Sequence, residues 1–390
     1  MGEENYYKSL SRTRVNTLQK GSTRSLPNII DDSYTISSNF AAMQNLKYHI
    51  IVKESNLYLT TKGLKEELTF EHYKRRSSNT QFFNIKVPPA VMGVPYLIYS
   101  TSLGTLISSG SYPNNPNYNV MMARENNSGS TFGASWDILP SSIPGYMILQ
   151  NQDILKQGDS GHWMDIYKCV AETTPNNKTH LGKYIESPKQ LFKIIPNATF
   201  EITEINFINP HSATVKRIKN EEVHEGYTNH KNTMVEYDMH FAPTFQEKSN
   251  FLEREYISFR LKGEKRFKIP EVIQGKLFLQ PSQNADALSL YKRQQTINRT
   301  FDTILPLMVE KRTRIDITYF YAVYEVEADF EAYAVYNDIR VKLVGRWNGK
   351  IHVDELQDEH IIKKTNLDTG ETRSLKMTTQ NLTKTNRLII

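Results

Sequence analysis

The residues that most often carry enzyme chemistry are scattered along this chain. It has ten histidines, and none forms the His-Glu-x-x-His spacing that places two zinc ligands on one helix face. The nearest approach to a cluster is His224, His230 and His240. Glu221 and Glu222 could serve as the carboxylates of a glycosidase, but that reaction needs a defined separation between the two groups. The sequence therefore predicts a protein that is not an enzyme and uses no metal or cofactor.

A second pattern, in which apolar and cationic side chains alternate, runs from Tyr256 to Ile269. Its odd positions carry Ile257, Phe259, Leu261, Phe267 and Ile269, with Lys265 as the one cation among them. Its even positions carry Arg260, Lys262, Arg266 and Lys268, with Glu264 as the one acid. A two-residue period is typical of a strand with unlike faces. Pro270 to Gly275 then predicts a turn, and Leu277 and Leu279 begin a return arm.

The strands that could position these residues follow from an internal repeat of about 50 residues between residues 48 and 196. Three units open at Tyr48, Tyr96 and Tyr146 and close at the aromatic residues Phe83, Trp136 and Phe192. A unit of this size cannot bury its apolar face alone, so the three must pack together. Short β runs broken by Gly, Pro and Asn predict a β-trefoil, with the three closing aromatic side chains buried at equivalent positions.

The breaker residues also predict where one domain ends and the next begins. Residues 40–196 contain 10 Gly and 10 Pro, whereas the longer stretch 197–390 contains only 6 Gly and 5 Pro. Long alternating runs, such as 315–336, predict long strands in the second region. Residues 244–256 and 284–300 fit either a helix or a strand. We therefore predict a flexible or cleavable tail at 1–39, a trefoil at 40–196 and an elongated β domain at 197–390.

Composition limits the partners and the compartment. The formal charge of +6 favours anionic surfaces but is diffuse, and no basic-aromatic pattern of a nucleic-acid-binding protein is present. Cys169 is the only cysteine, which excludes a disulfide within the chain. The polar N-terminus lacks the apolar core of a signal peptide. We expect an intracellular inclusion or release without a conventional signal.

Two closing motifs carry a first resemblance. Gln81-x-Phe83 and Gln190-x-Phe192, with Trp136 in the middle unit, resemble the Gln-x-Trp signature of ricin-B-type β-trefoil lectins. In that family the Gln and Trp side chains chiefly serve the core, and the resemblance implies the same role here. Glycan binding follows only by analogy of fold, and the sequence identifies no sugar pocket.

The order of the domains carries a second resemblance. A trefoil head before a long-stranded, glycine-poor β domain resembles aerolysin-type β-pore-forming toxins, in particular the two-domain insecticidal crystal toxins. Three late stretches are similar to that group: a strand with an early proline at 304–318, a long strand at 319–336, and a Gly-x-x-x-Gly turn at Gly345 and Gly349. The resemblance implies an all-β fold, with an N-terminal β-trefoil followed by an elongated aerolysin-like β-sheet domain.

The resemblance also implies a mechanism. The trefoil binds a glycan or protein receptor on a target cell, trimming of the tail exposes an assembly face, and the homo-oligomer inserts into the membrane. The barrel must close, because lipid cannot hydrogen-bond open strand edges. We place the membrane hairpin at residues 256–290, with its odd residues toward lipid and its cations lining an anion-preferring lumen. A second toxin component is left open, and nucleic acid is not an expected partner.

Two alternatives remain at this stage. One is an agglutinin or storage protein of the same architecture that forms no pore, and the other is a structural or assembly protein. A half-buried strand of a soluble sheet shows the same alternation as a membrane strand.

Overall fold

The structure of the chain is a computed structural model. It describes residues 29–87, 96–108, 121–124, 133–157, 166–254, 257–263, 265–273, 275–280, 288–291, 294–355, 358–378, 380–381 and 388–389. The predicted tail lies outside these residues up to residue 28.

The chain divides into two compact units. The first comprises Met1–Thr203, Arg254–Lys262 and Tyr333–Leu343, and the second comprises Glu204–Glu253, Gly263–Ala332 and Val344–Ile390. This partition differs from a single division at residue 196, because two later segments group with the first unit. No helix in the described part of the chain has the length and apolar character that a membrane span requires.

Up to residue 196, the described part of the first unit contains a helix followed by twelve strands. The helix α1 is Ile29–Ala42, and two short 3-10 helices are Arg75–Gln81 and Pro188–Gln190. The strands are β1 Lys47–Val52, β2 Tyr58–Thr60, β3 Thr69–Glu71, β4 Phe83–Lys86, β5 Tyr96–Ser100, β6 Leu106–Ser108, β7 Met122–Arg124, β8 Ser135–Pro140, β9 Met147–Gln157, β10 Ile166–Thr173, β11 Thr179–Gly182 and β12 Phe192–Pro196.

The pairing of these strands closes a ring. β1 pairs with β4, β4 with β5, β5 with β8, β8 with β9, β9 with β12, and β12 returns to β1. Each repeat adds one further hairpin, formed by β2 with β3, β6 with β7, and β10 with β11. A six-stranded barrel with three hairpins in threefold repetition is a β-trefoil. The predicted β-trefoil is therefore confirmed.

The helix corrects the extent of the predicted tail at residues 29–39. Ile36 and Phe40 are buried, and the Phe40 ring lies 5.3 Å from that of Tyr96. The Asn39 side chain forms two hydrogen bonds with the backbone of Lys342, as donor to the carbonyl at 2.7 Å and as acceptor from the amide at 2.8 Å. No local pattern indicates these contacts, since their partners lie far away in the chain.

After residue 197, the described residues form sixteen strands. They are β13 Thr199–Ile208, β14 Thr214–Asn229, β15 Val235–Phe241, β16 Thr244–Glu253, β17 Arg260–Lys262, β18 Arg266–Lys268, β19 Glu271–Ile273, β20 Lys276–Phe278, β21 Leu288–Leu290, β22 Gln295–Thr300, β23 Thr303–Val309, β24 Thr313–Tyr336, β25 Ile339–Val353, β26 Glu359–Asn366, β27 Thr372–Thr378 and β28 Leu388–Ile389. The all-β class is confirmed, and the segments left open between helix and strand contain β16 and β22.

The second unit is built around the 24-residue strand β24. β24 pairs with β14 on one side and with β26 on the other, and β26 pairs with β27. A separate sheet of order β15-β23-β28 packs its apolar face against β24. The buried core between them contains Met239, Phe241, Leu305, Leu307, Val309, Ile315, Ile317, Tyr319, Tyr321 and Ile362. Along β24 the buried positions are odd from Thr313 to Tyr321, of which Ile315, Ile317 and Tyr319 lie in this core, and even from Ala322 to Ala334.

The predicted Gly-x-x-x-Gly turn is wrong. Gly345 and Gly349 lie inside the continuous strand β25. A Cβ atom on Gly345 would come within 2.6 Å of the Phe330 ring, and one on Gly349 within 2.2 Å of the Trp347 ring. These glycines are required because aromatic rings lie against the strand at both positions, and no chain reversal is involved.

Candidate functional site

The three closing aromatic side chains lie in the trefoil core. Phe83 and Trp136 are fully buried, and Phe192 is 1% exposed. The Trp136 Nε1 donates a hydrogen bond to the Ile107 carbonyl at 2.9 Å, and Phe192 stacks on Phe70 with ring centroids 5.9 Å apart. Side chains this deeply enclosed hold the barrel together and offer no surface to a ligand.

The glutamine of the first repeat fixes the backbone around an exposed aromatic residue. Gln81 is buried, and its Nε2 donates to the His72 carbonyl at 2.9 Å. Its Oε1 accepts from the Lys74 amide at 2.9 Å. Both backbone groups flank Tyr73, so the side chain of Gln81 fixes the backbone on either side of that tyrosine. Tyr73 itself is 51% exposed.

The glutamine of the third repeat does the same. The Gln190 Nε2 donates to the Lys183 carbonyl at 2.7 Å, and its Oε1 accepts from the Ile185 amide at 2.9 Å. Tyr184 stands between these two groups, and burial, together with the charge of Glu186, raises its pKa to about 12. The middle repeat has Ala134 in place of the glutamine. Tyr73 and Tyr184 were missed in the sequence, although each directly follows a residue whose backbone the motif glutamine holds.

Tyr73 belongs to a group of four rings, here named the aromatic patch: His49, Tyr58, Tyr73 and Phe82. The centroids of Tyr58 and Tyr73 are 5.3 Å apart, and both rings stand edge-on to His49 at 5.1 and 5.7 Å. Phe82 stacks on His49 at 4.1 Å. Burial lowers the pKa of His49 against the opposing hydrogen bond to the Gln81 carbonyl, and the charge of Arg260 lowers it further. A neutral ring cluster with an exposed tyrosine suits a ligand with one flat apolar face.

A second candidate region connects two paired strands. β16 and β22 run antiparallel, with pairs from Thr244 with Thr300 to Ser249 with Gln295. The chain between them, residues 254–294, leaves this pairing and is here named the excursion. It contains the whole predicted hairpin, and each of the five strands among its described residues has only three residues.

The first part of the excursion packs within the first unit. Ile257 is buried, and the half-buried Phe259 meets Phe200 edge-on with centroids 5.2 Å apart. The strand β17 pairs in parallel with β13, which places Leu261 opposite Phe200. Arg260 and Lys262 are exposed. The side chains thus keep the predicted alternation over these residues.

The second part of the excursion lies within the second unit. β18 pairs with β21, and β19 and β20 form a small hairpin whose innermost pair is Ile273 with Lys276. Ile269 is buried and Phe267, Leu277 and Leu279 are half-buried. Arg266 is exposed and Lys268 is half-buried.

The predicted strand from Tyr256 to Ile269 is therefore not continuous in this structure. It breaks between Lys262 and Arg266, where a Cβ on Gly263 would come within 3.1 Å of the Tyr291 carbonyl. Tyr256 and Glu264 lie outside the described residues. The pieces separate because their apolar side chains find different partners, which a local two-residue period cannot reveal.

The β19–β20 hairpin rests on an incompletely filled surface of the second unit. A cavity of about 200 Å³ is lined by Val272, Arg299, Phe301, Ile351 and Asp354. A void of this size forfeits packing contacts for its lining.

The turn of this hairpin approaches a buried polar network. A Cβ on Gly275 would lie 3.6 Å from the Tyr324 hydroxyl, which donates a hydrogen bond to Glu355. Arg217 pairs with Glu355 at 3.3 Å and with Asp358 at 2.7 Å. Burial raises the pKa of Asp358 and, with Glu355, raises that of Tyr324 to about 12. The pairing of β14 with β24 shifts register between Arg217 and Lys219, next to this network.

Of the histidines and acids considered as enzyme chemistry, His224 and Glu222 lie 3.6 Å apart on the surface, and the others have separate partners. The His224 Nδ1 contacts Thr318 Oγ1 at 2.9 Å, His240 pairs with Asp302, and Glu221 pairs with Lys219. Among the described residues, no three His, Cys, Asp or Glu side chains are grouped to hold a metal ion.

One buried histidine gives the second unit a predicted pH dependence. His360 is fully buried, stacks on Tyr319 at 3.8 Å, and accepts a hydrogen bond from the Phe320 amide at its Nδ1. Burial lowers its pKa from 6.5 to about 4. The unfolded chain therefore binds this proton first as the pH falls. The stabilising contribution is fully present above pH 6.5, is lost as the pH falls to about 4, and amounts to at most about 3 kcal/mol.

We expect His360→Asn to flatten this dependence, since the Asn Oδ1 can accept the same amide hydrogen without titrating. The measurement is the thermal midpoint of the second unit at pH 7.5 and at pH 4.5 in both proteins. Burial raises the pKa of Asp354 and Asp358, which acts in the opposite direction in both proteins and cancels in the comparison. Identical pH profiles for the two proteins would contradict the prediction.

Together the strand pairings define a two-part β protein, a trefoil with a long-stranded sheet in the same chain. No protein-family model matches the chain, and no curated protein matches it. Solved structures do match. A lamprey immune protein aligns over 87% of this chain and 94% of its own at 11% identity, with a TM-score of 0.31. Parasporin-2 of Bacillus thuringiensis, titled a toxin that recognizes cancer cells, aligns over 53% of this chain and 84% of its own at 12% identity, with a TM-score of 0.21.

A third match is partial on both sides. This chain spans about a third of the GlcNAcα1-4Gal-releasing endo-β-galactosidase of Clostridium perfringens: 39% of this chain aligns with 32% of that one, at 12% identity and a TM-score of 0.30. Other matched structures include a β-trefoil, a non-toxic crystal protein of Bacillus thuringiensis and an aerolysin-like protein of Bombina maxima. An aerolysin-like protein and a crystal protein, kinds of protein that the sequence resemblance named, are thus among the matched structures.

Proposed function

We propose that this protein is a pore-forming toxin that binds a cell surface through its trefoil, assembles into a homo-oligomer and inserts the excursion as a β-hairpin. The carrying observation is that the excursion joins two strands that are already paired antiparallel, β16 and β22. A hairpin that continued this pairing would need no change in the strands that support it. Three-residue pairings hold the excursion in place, so little backbone hydrogen bonding opposes its release.

The register of β16 and β22 supports this proposal. Each pair moves one residue inward on both strands, from Thr244 with Thr300 to Ser249 with Gln295. Continued at the same register, Phe259 would face Ala285 and Phe267 would face Leu277. Opposite residues of antiparallel strands share a face. Odd residues of one arm therefore meet odd residues of the other.

The sequence of the return arm largely suits that register. Its odd positions from 277 to 287 are Leu, Leu, Pro, Gln, Ala and Ala, and its even positions from 278 to 286 are Phe, Gln, Ser, Asn and Asp. Apart from Lys265, Phe278 and Gln283, residues 257–269 and 277–287 then place apolar and small side chains on one face and polar ones on the other, the pattern of a transmembrane barrel. Three apolar side chains of the excursion are already exposed: Ile273 at 49%, Phe278 at 45% and Leu288 at 38%.

We expect Leu261→Glu to abolish release of calcein from vesicles of phosphatidylcholine and phosphatidylserine. The substitution places a charge on the lipid-facing side of every subunit, which costs up to a few kcal/mol each time. The matched control is Arg260→Glu in the same three-residue strand, which alters the lumen side and should retain release. Because the chain carries a formal charge of +6, the anionic lipid attracts it electrostatically. The assay therefore does not require the receptor.

Equal calcein release by Leu261→Glu and Arg260→Glu would contradict the placement of this hairpin in the membrane. Absence of release by the wild-type protein, also on target cells, would overturn the pore-forming proposal.

We further propose that the trefoil recognises a glycan or protein receptor through the aromatic patch and the equivalent surface around Tyr184. An agglutinin of the same architecture is the second candidate, since the two glutamine-held tyrosines favour recognition whether or not a pore follows. Binding to target cells without ion leakage would identify the agglutinin, and leakage would identify the toxin.

A further inference from the structure

Two strands of the second unit lie at the edges of one sheet. Among the described strands, β14 pairs only with β24, and β27 pairs only with β26. Most side chains of both strands are exposed. Edge strands offer unpaired backbone donors and acceptors to a further strand.

The directions of the four strands decide how a second copy could join. β24 is antiparallel to β14 and to β26, and β26 is antiparallel to β27. β14 and β27 therefore run in opposite directions. A second copy in the same orientation would place its β14 antiparallel to the free edge of β27. Such a head-to-tail contact uses two different surfaces, and repetition of it generates a ring when the rotation closes.

The charges on the two edges have the same spacing and opposite sign. β27 carries Arg373 and Lys376, three residues apart, and β14 carries Glu222 and Glu225, also three residues apart. In an antiparallel pair that sets Arg373 opposite Glu225, Lys376 falls opposite Glu222. One register therefore satisfies both pairs.

This register is also compatible with the faces of the sheet. Lys376 pairs with Ile361, Ile361 pairs with Thr318, and Thr318 pairs with His224. Within one copy, Lys376 and His224 therefore occupy the same row across the sheet. Setting Lys376 opposite Glu222 shifts the strands by two residues, so core-facing side chains still meet core-facing ones. A stagger between neighbouring strands is what a sheet needs when it closes into a ring.

We propose that β27 of one copy pairs with β14 of the next copy in this register, and that this edge contact builds the homo-oligomer. The inference rests on the proposed pore-forming function, for which it names the assembly surface. Leu375, which is 49% exposed, would then lie opposite Val223, which is half-buried. Charges on a free edge suppress indiscriminate pairing, while complementary charges select one partner and one register.

The same charges have local partners within the chain. Arg373 lies 2.9 Å from Glu371, Lys376 lies 3.6 Å from Glu359, and the His224 ring lies 3.6 Å from Glu222. All these pairs are exposed, and exposed ion pairs hold their geometry weakly. Substitution of the four edge charges should therefore leave the fold intact, which circular dichroism and the thermal midpoint verify.

Charge reversal tests the contact by complementation. The basic-edge variant carries Arg373→Glu with Lys376→Glu, and the acidic-edge variant carries Glu222→Lys with Glu225→Lys. Each variant alone brings like charges together, so cross-linked oligomers on anionic vesicles should fall at least about tenfold. In a one-to-one mixture of the two variants, a ring in which they alternate places opposite charges at every contact. The mixture should therefore recover oligomers. Lys62→Glu with Lys65→Glu, in the trefoil, is the matched control and should assemble like the wild type.

A cysteine pair tests the register separately. In a Cys169→Ser background, Val223→Cys with Leu375→Cys should give a reducible ladder of linked chains, while each single cysteine variant should give none. If the wild type assembles and releases dye but the edge variants assemble equally well, the edge contact is wrong and the pore proposal stands. If the wild type neither assembles nor releases dye, both proposals fall.

Discussion

Trp136→Ala is expected to lower the free energy of unfolding of the trefoil by about 3–5 kcal/mol, the range for large aromatic side chains in cores. Trp136 is fully buried in the closed barrel, so its removal leaves a cavity that the ring of strands cannot collapse to fill. The Ile107 carbonyl also loses its indole donor at 2.9 Å. Guanidinium unfolding followed by near-ultraviolet circular dichroism measures the change, with the transitions of the two units fitted separately.

The threefold repeat supplies matched comparisons for this prediction. Phe83→Ala and Phe192→Ala should fall in the same range, because both side chains are as deeply buried. Tyr73→Ala, which truncates an exposed ring, should change the stability by no more than about 0.5 kcal/mol. A cost below about 1 kcal/mol for Trp136→Ala would contradict the role of these residues as the trefoil core.

Pores of the wild-type protein are expected to prefer anions, and Arg260→Glu with Lys262→Glu is expected to reverse that preference. The lumen side of the first arm carries Arg260, Lys262, Arg266 and Lys268 against the single acid Glu264. The double substitution leaves two cations and three acids on that side. A ring of subunits repeats these charges around one narrow channel, where they decide which ion enters. The measurement is the reversal potential of a planar bilayer under a KCl gradient.

The control for selectivity is Lys62→Glu with Lys65→Glu, which changes the net charge equally outside the excursion. Its reversal potential should match that of the wild type. Cation preference in the wild type, or a reversal potential unchanged by the substitutions at Arg260 and Lys262, would exclude residues 256–290 from the barrel.

The sequence alone determined the trefoil. A repeat of about 50 residues imposes a repeated structural unit, and short β runs with aromatic ends predict both the barrel and the enclosure of Phe83, Trp136 and Phe192. The same local logic predicted the strand at 315–336, which lies within β24. The two-residue period and the internal repeat are patterns of the sequence itself, so both can be recognised without knowing which distant segments pack together.

Only the tertiary structure decided where the local pieces find their partners. The alternation from 256 to 269 is present, but Phe259 packs on Phe200 while β18 pairs with β21, so the predicted strand is divided. The residues around Tyr73 carry no local signal, because Gln81 fixes them through hydrogen bonds to backbone groups seven and nine positions away. The register of β16 with β22 and the opposite directions of β14 and β27 likewise depend on pairing between distant segments. A side-chain period records which face is apolar, whereas pairing between distant strands is set by the packing of the whole chain.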